Sequence, residues 1–144
     1  MTKEDYSILV SCIELAKRDD GTEFYRVKDG TPDHVAKIVS DVVFKADEDI
    51  HSWDLSYEIA NDALNALYDV ELDNLSEFDI YEQDSEHASI WTAARLEYLT
   101  MWNQDEIADK VRDYDCDIAT AAAMWYEEQV NYMVEAFKSA ILEA

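Results

Sequence analysis

Turn-forming residues are almost absent from this chain. Its 144 residues include two glycines and one proline. Hairpins and β-sandwiches need such residues every few positions, whereas helices can continue without them. The length is sufficient for one domain with a sizeable core. We therefore predict an all-α fold, in which residues 1–144 form a single-domain, acidic helical bundle of five or six helices.

Apolar residues at helical spacing place the first two helices. The first is predicted at residues 3–18 and ends at the Asp-Asp-Gly sequence of residues 19–21. Residues 22–28 also suit a short strand, but no second strand is evident, so we predict an irregular segment there. Thr31 as N-cap and Pro32 at the first helical position predict the start of the second helix. The inward positions of the first helix are Ile8, Leu9, Cys12, Leu15 and Ala16.

The later helices follow from the same spacing. A third is predicted from Ser52 to about residue 70, a loop with a helical turn at residues 71–84, and a fourth helix at residues 85–102. A short fifth helix starts with a capping box at residues 103–106. The last starts at Asp115 or Asp117. Its apolar stripe predicts a central core helix, and its near-heptad spacing leaves a homodimer seam as the alternative. The stripe comprises Ala119, Ala123, Tyr126, Val130, Met133, Phe137 and Ala140.

The charge of the chain is large and unevenly distributed. There are 34 acidic against 11 basic residues, a formal net charge of −23. A net charge of roughly 2–8 is sufficient for the solubility of a small domain, so this excess indicates a cationic partner, a halophilic solvent or bound metal. Residues 46–94 contain fourteen acids and neither Lys nor Arg. These acids are Asp47, Glu48, Asp49, Asp54, Glu58, Asp62, Asp69, Glu71, Asp73, Glu77, Asp79, Glu82, Asp84 and Glu86.

These fourteen acids are our candidate partner-binding residues. Asp54, Glu58 and Asp62 follow one another at i,i+4 spacing, where each like-charge pair costs about 0.2–0.5 kcal/mol. Residues 105, 109 and 113 repeat the pattern with three aspartates. Duplex DNA carries one charge per ~1.7 Å of axis, so imitating it requires two or three adjacent rows of carboxylates. Residues 46–94 contain enough carboxylates to supply such rows.

Metal and catalytic sites are not indicated. The alternating acids at residues 69–73 and 113–117 lack the glycine and glutamate of a calcium-binding EF-hand loop. His34, His51 and His87 lie on separate elements, without the spacing of a zinc or iron site. Cys12 and Cys116 are predicted to be reduced thiols, Cys12 in the core. We expect no cofactor, no metal and no enzymatic activity.

Membrane and nucleic-acid binding are also disfavoured. No apolar run approaches the ~18 residues of a membrane span, and the N-terminus lacks the layout of a signal peptide. The phosphate backbone dominates nucleic-acid affinity, and it would repel this chain. We therefore expect a cytoplasmic protein, in the host cytoplasm if a phage encodes it, with no direct contact to nucleic acid.

Three short sequences carry a family resemblance. The sequence DHVA at residues 33–36 begins a helix, and DIHSWDL at residues 49–55 leads into another. After an acidic linker at residues 71–84 comes AARLEYLT, at residues 93–100. Residues 34–114 thereby resemble the phage DNA-mimic antirestriction proteins, small acidic helical inhibitors of type I restriction enzymes. The long N-terminal segment and the apolar C-terminal helix depart from that family's pattern. The resemblance implies a DNA-mimic inhibitor whose partner is a basic DNA-binding protein or a restriction or defence enzyme.

The sequence is also compatible with three alternative functions. The first is an anti-defence or regulatory protein that binds a non-DNA surface of its partner through aromatic anchors such as Trp53 and Tyr57. The second is a domain whose charge reflects a halophilic solvent. The third is an enzyme with a carboxylate-rich metal site, which no ligand spacing in the sequence favours.

Overall fold

The computed structural model describes residues 1–50, 52–79 and 103–144. Within these ranges the chain is mostly helical, as predicted, but a two-stranded antiparallel sheet shows that it is not all-α. The fourth predicted helix, at residues 85–102, lies outside the described residues. The elements are α1 (Lys3–Leu9), β1 (Ile13–Lys17), β2 (Glu23–Val27), α2 (Asp33–Ile50), α3 (Trp53–Leu67), a 3-10 helix (Leu72–Glu77), α4 (Gln104–Tyr114) and α5 (Ile118–Glu143).

The helix predicted at residues 3–18 is shorter than expected, and the prediction is wrong beyond Leu9. Helix α1 ends at Leu9, and β1 and β2 form a hairpin in which Leu15 lies opposite Tyr25. The Asp-Asp-Gly sequence of residues 19–21 is the hairpin loop, and Gly21 adopts a φ of 88°, a left-handed conformation that favours glycine. The irregular segment predicted at residues 22–28 is wrong, because these residues contain β2, as their strand-like composition allows. The partner strand β1 is not recognisable from its own residues, since its apolar spacing continues that of α1 and only pairing with β2 supplies its backbone hydrogen bonds.

Helices α2 and α3 begin where the sequence predicts. The Leu55 amide donates to the Ser52 hydroxyl at 3.3 Å, which confirms Ser52 as the N-cap of α3. Helix α2 starts at Asp33. As an N-cap, the Thr31 hydroxyl would accept a hydrogen bond from an amide in the first turn, but it instead donates to the carbonyl of Lys28 at 2.8 Å. The two helices pack against each other, with β2 against α3. The hairpin and α5 are therefore both held by α3.

Helix α5 is the central helix of the core. It packs against α2, α3 and α4, and Tyr126 and Phe137 are fully buried. Ala123, Val130 and Met133 of the predicted stripe are buried too, which confirms the core-helix prediction. Packing against α2, α3 and α4 thus buries the middle of the stripe, while Ala119 and Ala140 at its ends are half-buried.

The short helix predicted to begin at residues 103–106 is confirmed by α4, which runs from Gln104 to Tyr114. Ile107 is buried and Val111 is half-buried, as its spacing predicts. The capping box is not formed, because the Asn103 side chain makes no capping hydrogen bond. Asp115 ends the helix with a φ of 48°, and Asp117 then caps α5 by accepting from the Thr120 amide at 2.8 Å. Among the described helices, none combines the length and apolar character needed to cross a bilayer.

Candidate partner-binding surface

Eleven of the fourteen acids predicted to bind a partner lie in the described residues. They fall into three groups: the end of α2, the length of α3, and the segment after α3. We call these eleven residues the acidic segment. Glu82, Asp84 and Glu86 lie outside the described residues. The members of the acidic segment are Asp47, Glu48, Asp49, Asp54, Glu58, Asp62, Asp69, Glu71, Asp73, Glu77 and Asp79.

The first group occupies the last turn of α2. Glu48 and Asp49 are exposed, and Asp47 is half-buried, where it accepts a hydrogen bond from the Ser56 hydroxyl at 3.3 Å. This turn contains no basic residue. Because the helix dipole is negative at the C-terminus, each acid here opposes it by about 0.3–1 kcal/mol. The stability of α2 therefore does not account for these three carboxylates.

The second group begins with Asp54 in the first turn of α3. Both of its carboxylate oxygens lie 3.0 Å from Nη2 of Arg18, at the end of the hairpin loop. The Arg18 guanidinium also lies over the ring of Phe24, 4.6 Å from its centroid. Sequence reasoning missed this pairing because the two residues are 36 positions apart. Asp54 is thus neutralised by the hairpin, although its side chain is still 55% exposed.

The two remaining acids on α3 are half-buried. Glu58 lines a groove of about 380 Å³ between α3 and the hairpin, together with Leu15 and Tyr25. Asp62 accepts a hydrogen bond from the hydroxyl of the buried Tyr126 on α5. The i,i+4 row predicted from the sequence exists along α3, but it contacts the hairpin at one end and α5 at the other. It is therefore not a continuous solvent-facing row.

The third group follows α3 and is more exposed. Asp69, Glu71 and Glu77 are exposed, and Asp73 forms an exposed ion pair with Lys3 at 3.1 Å. Surface pairs of this kind contribute little to stability, because solvent and side-chain entropy offset the attraction. This part of the chain therefore presents carboxylates with little internal neutralisation.

The fold holds this third group in place through α1. The Tyr6 hydroxyl donates to the carbonyls of Leu67 at 3.0 Å and Val70 at 2.8 Å, at the end of α3. Burial raises the pKa of Tyr6, so the phenol stays protonated as a donor. Lys138 of α5 donates to the carbonyl of Phe78 at 2.9 Å. Two separate contacts thus fix the backbone that carries the exposed acids.

The aspartates of α4 form a partly neutralised row. The Nη2 atom of Arg112 lies 2.5 Å from Oδ1 of Asp109, and its Nε atom lies 3.7 Å from Oδ1 of Asp113. The pKa of Arg112 is raised, mainly because its side chain donates a hydrogen bond to Asp109. Asp105 is exposed in the first turn, where the helix dipole favours an acid. Local electrostatics can explain this row, whereas they do not explain the acids at the end of α2.

An aromatic groove lies beside the hairpin. Trp53 is 48% exposed and packs edge-on against Tyr57, with ring centroids 5.5 Å apart. These two rings line a groove of about 430 Å³ together with Phe24 and Arg26. Arg26 is paired with Glu14 across the two strands at 3.1 Å. The sequence predicted Trp53 and Tyr57 as candidate anchors, and the structure brings them together on one surface.

The described residues were also compared with the geometry that a metal site or a reactive thiol requires. No three His, Cys, Asp or Glu side chains converge to hold a metal ion anywhere in residues 1–50, 52–79 and 103–144. Cys12 is buried, as predicted, and burial raises the pKa of its thiol to about 11.

No family model matches this sequence, and no curated protein or solved structure is significantly similar to it.

Proposed function

We propose that this protein is a DNA mimic that inhibits a DNA-binding protein by occupying the cleft that receives the duplex. The observation that carries this proposal is the base-free segment at residues 46–94. Glu48 and Asp49 at the end of α2 are exposed, as are the described carboxylates after α3, and the acids at the end of α2 oppose the helix dipole. Binding to a cationic partner explains why the chain has these carboxylates although their repulsion destabilises its own fold.

The density of charge supports the same proposal. Helix α3 has 15 residues and is therefore about 22 Å long. A duplex of that length carries roughly thirteen phosphate charges. Helix α3 itself carries only three acids of the acidic segment, so the eight at the end of α2 and after α3 are needed to approach that number. Two of the eleven, Asp54 and Asp73, are paired with bases of the same chain.

Competition with DNA tests the mechanism. The probe is a purified type I restriction enzyme, the class that the sequence resemblance implies. Its apparent dissociation constant for a duplex should rise in proportion to the concentration of this protein, without a plateau. Binding should also weaken steeply with salt, as it does for phosphate contacts. A complex that contains enzyme, duplex and this protein together would contradict the proposal.

A pair of matched variants tests the surface. The first variant neutralises four exposed acids of the acidic segment, and the second neutralises four exposed acids elsewhere, so the net charge changes equally. The first should weaken inhibition far more than the second. Equal losses would mean that overall charge acts and that the assigned surface is wrong. The first variant is E48Q/D49N/D69N/E71Q, and the second is D19N/D105N/E106Q/E143Q.

The aromatic groove favours a second candidate function, a regulatory protein anchored on a non-DNA surface of its partner. A half-exposed Trp beside a Tyr is a frequent anchor of protein interfaces. Trp53→Ala should then abolish binding, while the four-acid variant leaves it nearly unchanged. The salt dependence of binding should also be shallow. These outcomes are opposite to those expected of the mimic.

A further inference from the structure

A guanidinium group of the chain itself is bound on the candidate surface. The Nη2 atom of Arg18 lies 3.0 Å from each carboxylate oxygen of Asp54, and its Cζ atom lies 4.6 Å from the centroid of the Phe24 ring. We call Phe24 and Asp54 together the guanidinium site. An aromatic face beside a carboxylate suits arginine, because the planar cation can stack and donate hydrogen bonds at the same time. Nothing in this chemistry requires the arginine to come from the same chain.

The hydrogen bonding between Arg18 and Asp54 can be improved upon. A single nitrogen of Arg18 serves both oxygens, whereas the strongest arginine–carboxylate pairs use two nitrogens in parallel. The Nη1 atom of Arg18 makes a long hydrogen bond of 3.4 Å to the Thr22 hydroxyl instead. An arginine that is not tethered to the hairpin loop can approach Asp54 with two nitrogens. An external guanidinium can therefore bind this carboxylate in a better geometry than Arg18 does.

The contact is also exposed enough to be exchanged. The side chains of Arg18 and Asp54 are 41% and 55% exposed, and exposed ion pairs contribute little to stability. The loop backbone is held separately from the Arg18 side chain. The Arg18 amide donates to the Thr22 carbonyl at 2.8 Å, and the Arg18 carbonyl accepts from the Gly21 amide at 3.0 Å. Displacement of the side chain should therefore leave the loop folded.

Two grooves next to the guanidinium site provide space for an incoming side chain. Phe24 and Asp54 line both the groove of about 380 Å³ that contains Glu58 and the aromatic groove of about 430 Å³ that contains Trp53. Both volumes fall in the range of roughly 300–1,000 Å³ that is usual for ligand sites. None of the described residues that line the first groove is basic, and Glu58 adds a carboxylate to it. The charge of this groove thus favours a cationic occupant.

We propose that the guanidinium site receives an arginine side chain of the partner, which takes the place of Arg18. This inference rests on the proposed function, since DNA-binding clefts contact phosphates through Arg and Lys side chains. The exchange replaces one ion pair at Asp54 by another and releases Arg18 to solvent. Because Arg18 is tethered beside the site, it competes at an effective concentration that is roughly millimolar or higher. Arg18 therefore weakens the binding of the partner at this position.

Methylguanidinium tests the site without a target protein. In Arg18→Ala no tethered side chain competes, so the probe should shift the amide NMR signals of Phe24 and Asp54 and saturate them, with a dissociation constant on the order of 10 mM. The wild-type protein should need about tenfold more probe, because Arg18 competes. The titrations are made at constant ionic strength. Adding Asp54→Asn to the variant should abolish saturation. No saturation in Arg18→Ala, or saturation that survives Asp54→Asn, would overturn the proposal.

Competition with duplex for a type I restriction enzyme tests the exchange. Arg18→Ala should inhibit duplex binding at about tenfold lower concentration, because the partner's arginine meets no competitor. Arg112→Ala is the matched control, since Arg112 is likewise exposed and paired with an aspartate, but outside the acidic segment. It should change inhibition by less than about twofold, although it removes the same charge. Equal effects of the two variants, or weaker inhibition by Arg18→Ala, would refute the exchange.

Arg18→Lys separates the guanidinium from its charge. Lysine keeps the positive charge but lacks the planar group that stacks and donates in parallel. This variant should therefore also inhibit more strongly than the wild type, by less than Arg18→Ala does. Inhibition no stronger than that of the wild type would mean that charge alone acts at position 18, which contradicts the proposal. If methylguanidinium binds as expected but no variant competes with duplex, the DNA-mimic proposal is wrong and the guanidinium site stands without it.

Discussion

Both carboxylate oxygens of Asp54 lie 3.0 Å from the Arg18 guanidinium, which joins the hairpin loop to the first turn of α3. Asp54 is also at the helix end where the dipole favours an acid. Glu48 occupies the opposite position, exposed in the last turn of α2 with no base in that turn. Two acids of one segment therefore have opposite effects on the stability of the fold.

Neutralising these two acids should change the free energy of unfolding in opposite directions. Asp54→Asn should lower it by less than about 1 kcal/mol, because the ion pair is substantially exposed. Glu48→Gln should raise it by about 0.3–1 kcal/mol, because it removes a charge that opposes the helix dipole. Urea denaturation at low salt measures both. If the two variants changed stability with the same sign, total charge rather than local position would govern it.

The thermal midpoint should rise with salt. Between 0.01 M and 0.1 M the Debye length falls from about 30 Å to about 10 Å, which weakens repulsion among the carboxylates of the acidic segment. Calorimetry over this range measures the shift. The variant E48Q/D49N/D69N/E71Q should show a smaller shift, because part of the repulsion is already removed. A wild-type midpoint that stays constant or falls would mean that the charges are already compensated.

Removing the hydroxyl of Tyr126 should destabilise the fold. Tyr126 is fully buried and donates to the half-buried carboxylate of Asp62, so Tyr126→Phe leaves that carboxylate with one partner fewer. The expected loss is about 1–3 kcal/mol by urea denaturation. Asp62→Asn in the same background should restore part of it, since a neutral amide costs less to bury. Tyr132→Phe is the control at an exposed tyrosine, and a loss as large there would contradict the assignment.

The cap of α5 should make stability depend on pH in the acid range. Hydrogen bonds from the Thr120 side chain and amide hold the pKa of Asp117 below its ordinary value of 3.8. A lowered folded-state pKa contributes stability above about pH 3.8, and this is lost as pH falls through the folded-state value. Asp117→Asn can still cap the helix without titrating. The stability difference between wild type and Asp117→Asn should therefore shrink in acid, and a constant difference would contradict the pKa assignment.

Helix positions could be predicted where the spacing of apolar residues is regular. Helix α3 begins after Ser52 and α5 after Asp117, as expected, since an N-cap side chain acts within its own first turn. The hairpin could not be predicted in this way. Leu15 and Ala16 continue the helical spacing of α1, and only pairing with β2 makes the extended backbone favourable. Local pattern and long-range pairing conflict at these residues, and the pairing prevails.

Some features of the candidate surface could likewise be predicted from the sequence, whereas others depend on the fold. The sequence alone determined the base-free stretch and its carboxylates, because charge is a property of each residue and needs no fold. Only the tertiary structure decided which of them meet a partner within the chain: Asp54 meets Arg18, Asp62 meets Tyr126, and Glu48 remains exposed. These contacts join residues far apart in the chain. They form only when the packing of the hairpin and α5 against α3 brings the side chains within hydrogen-bonding distance.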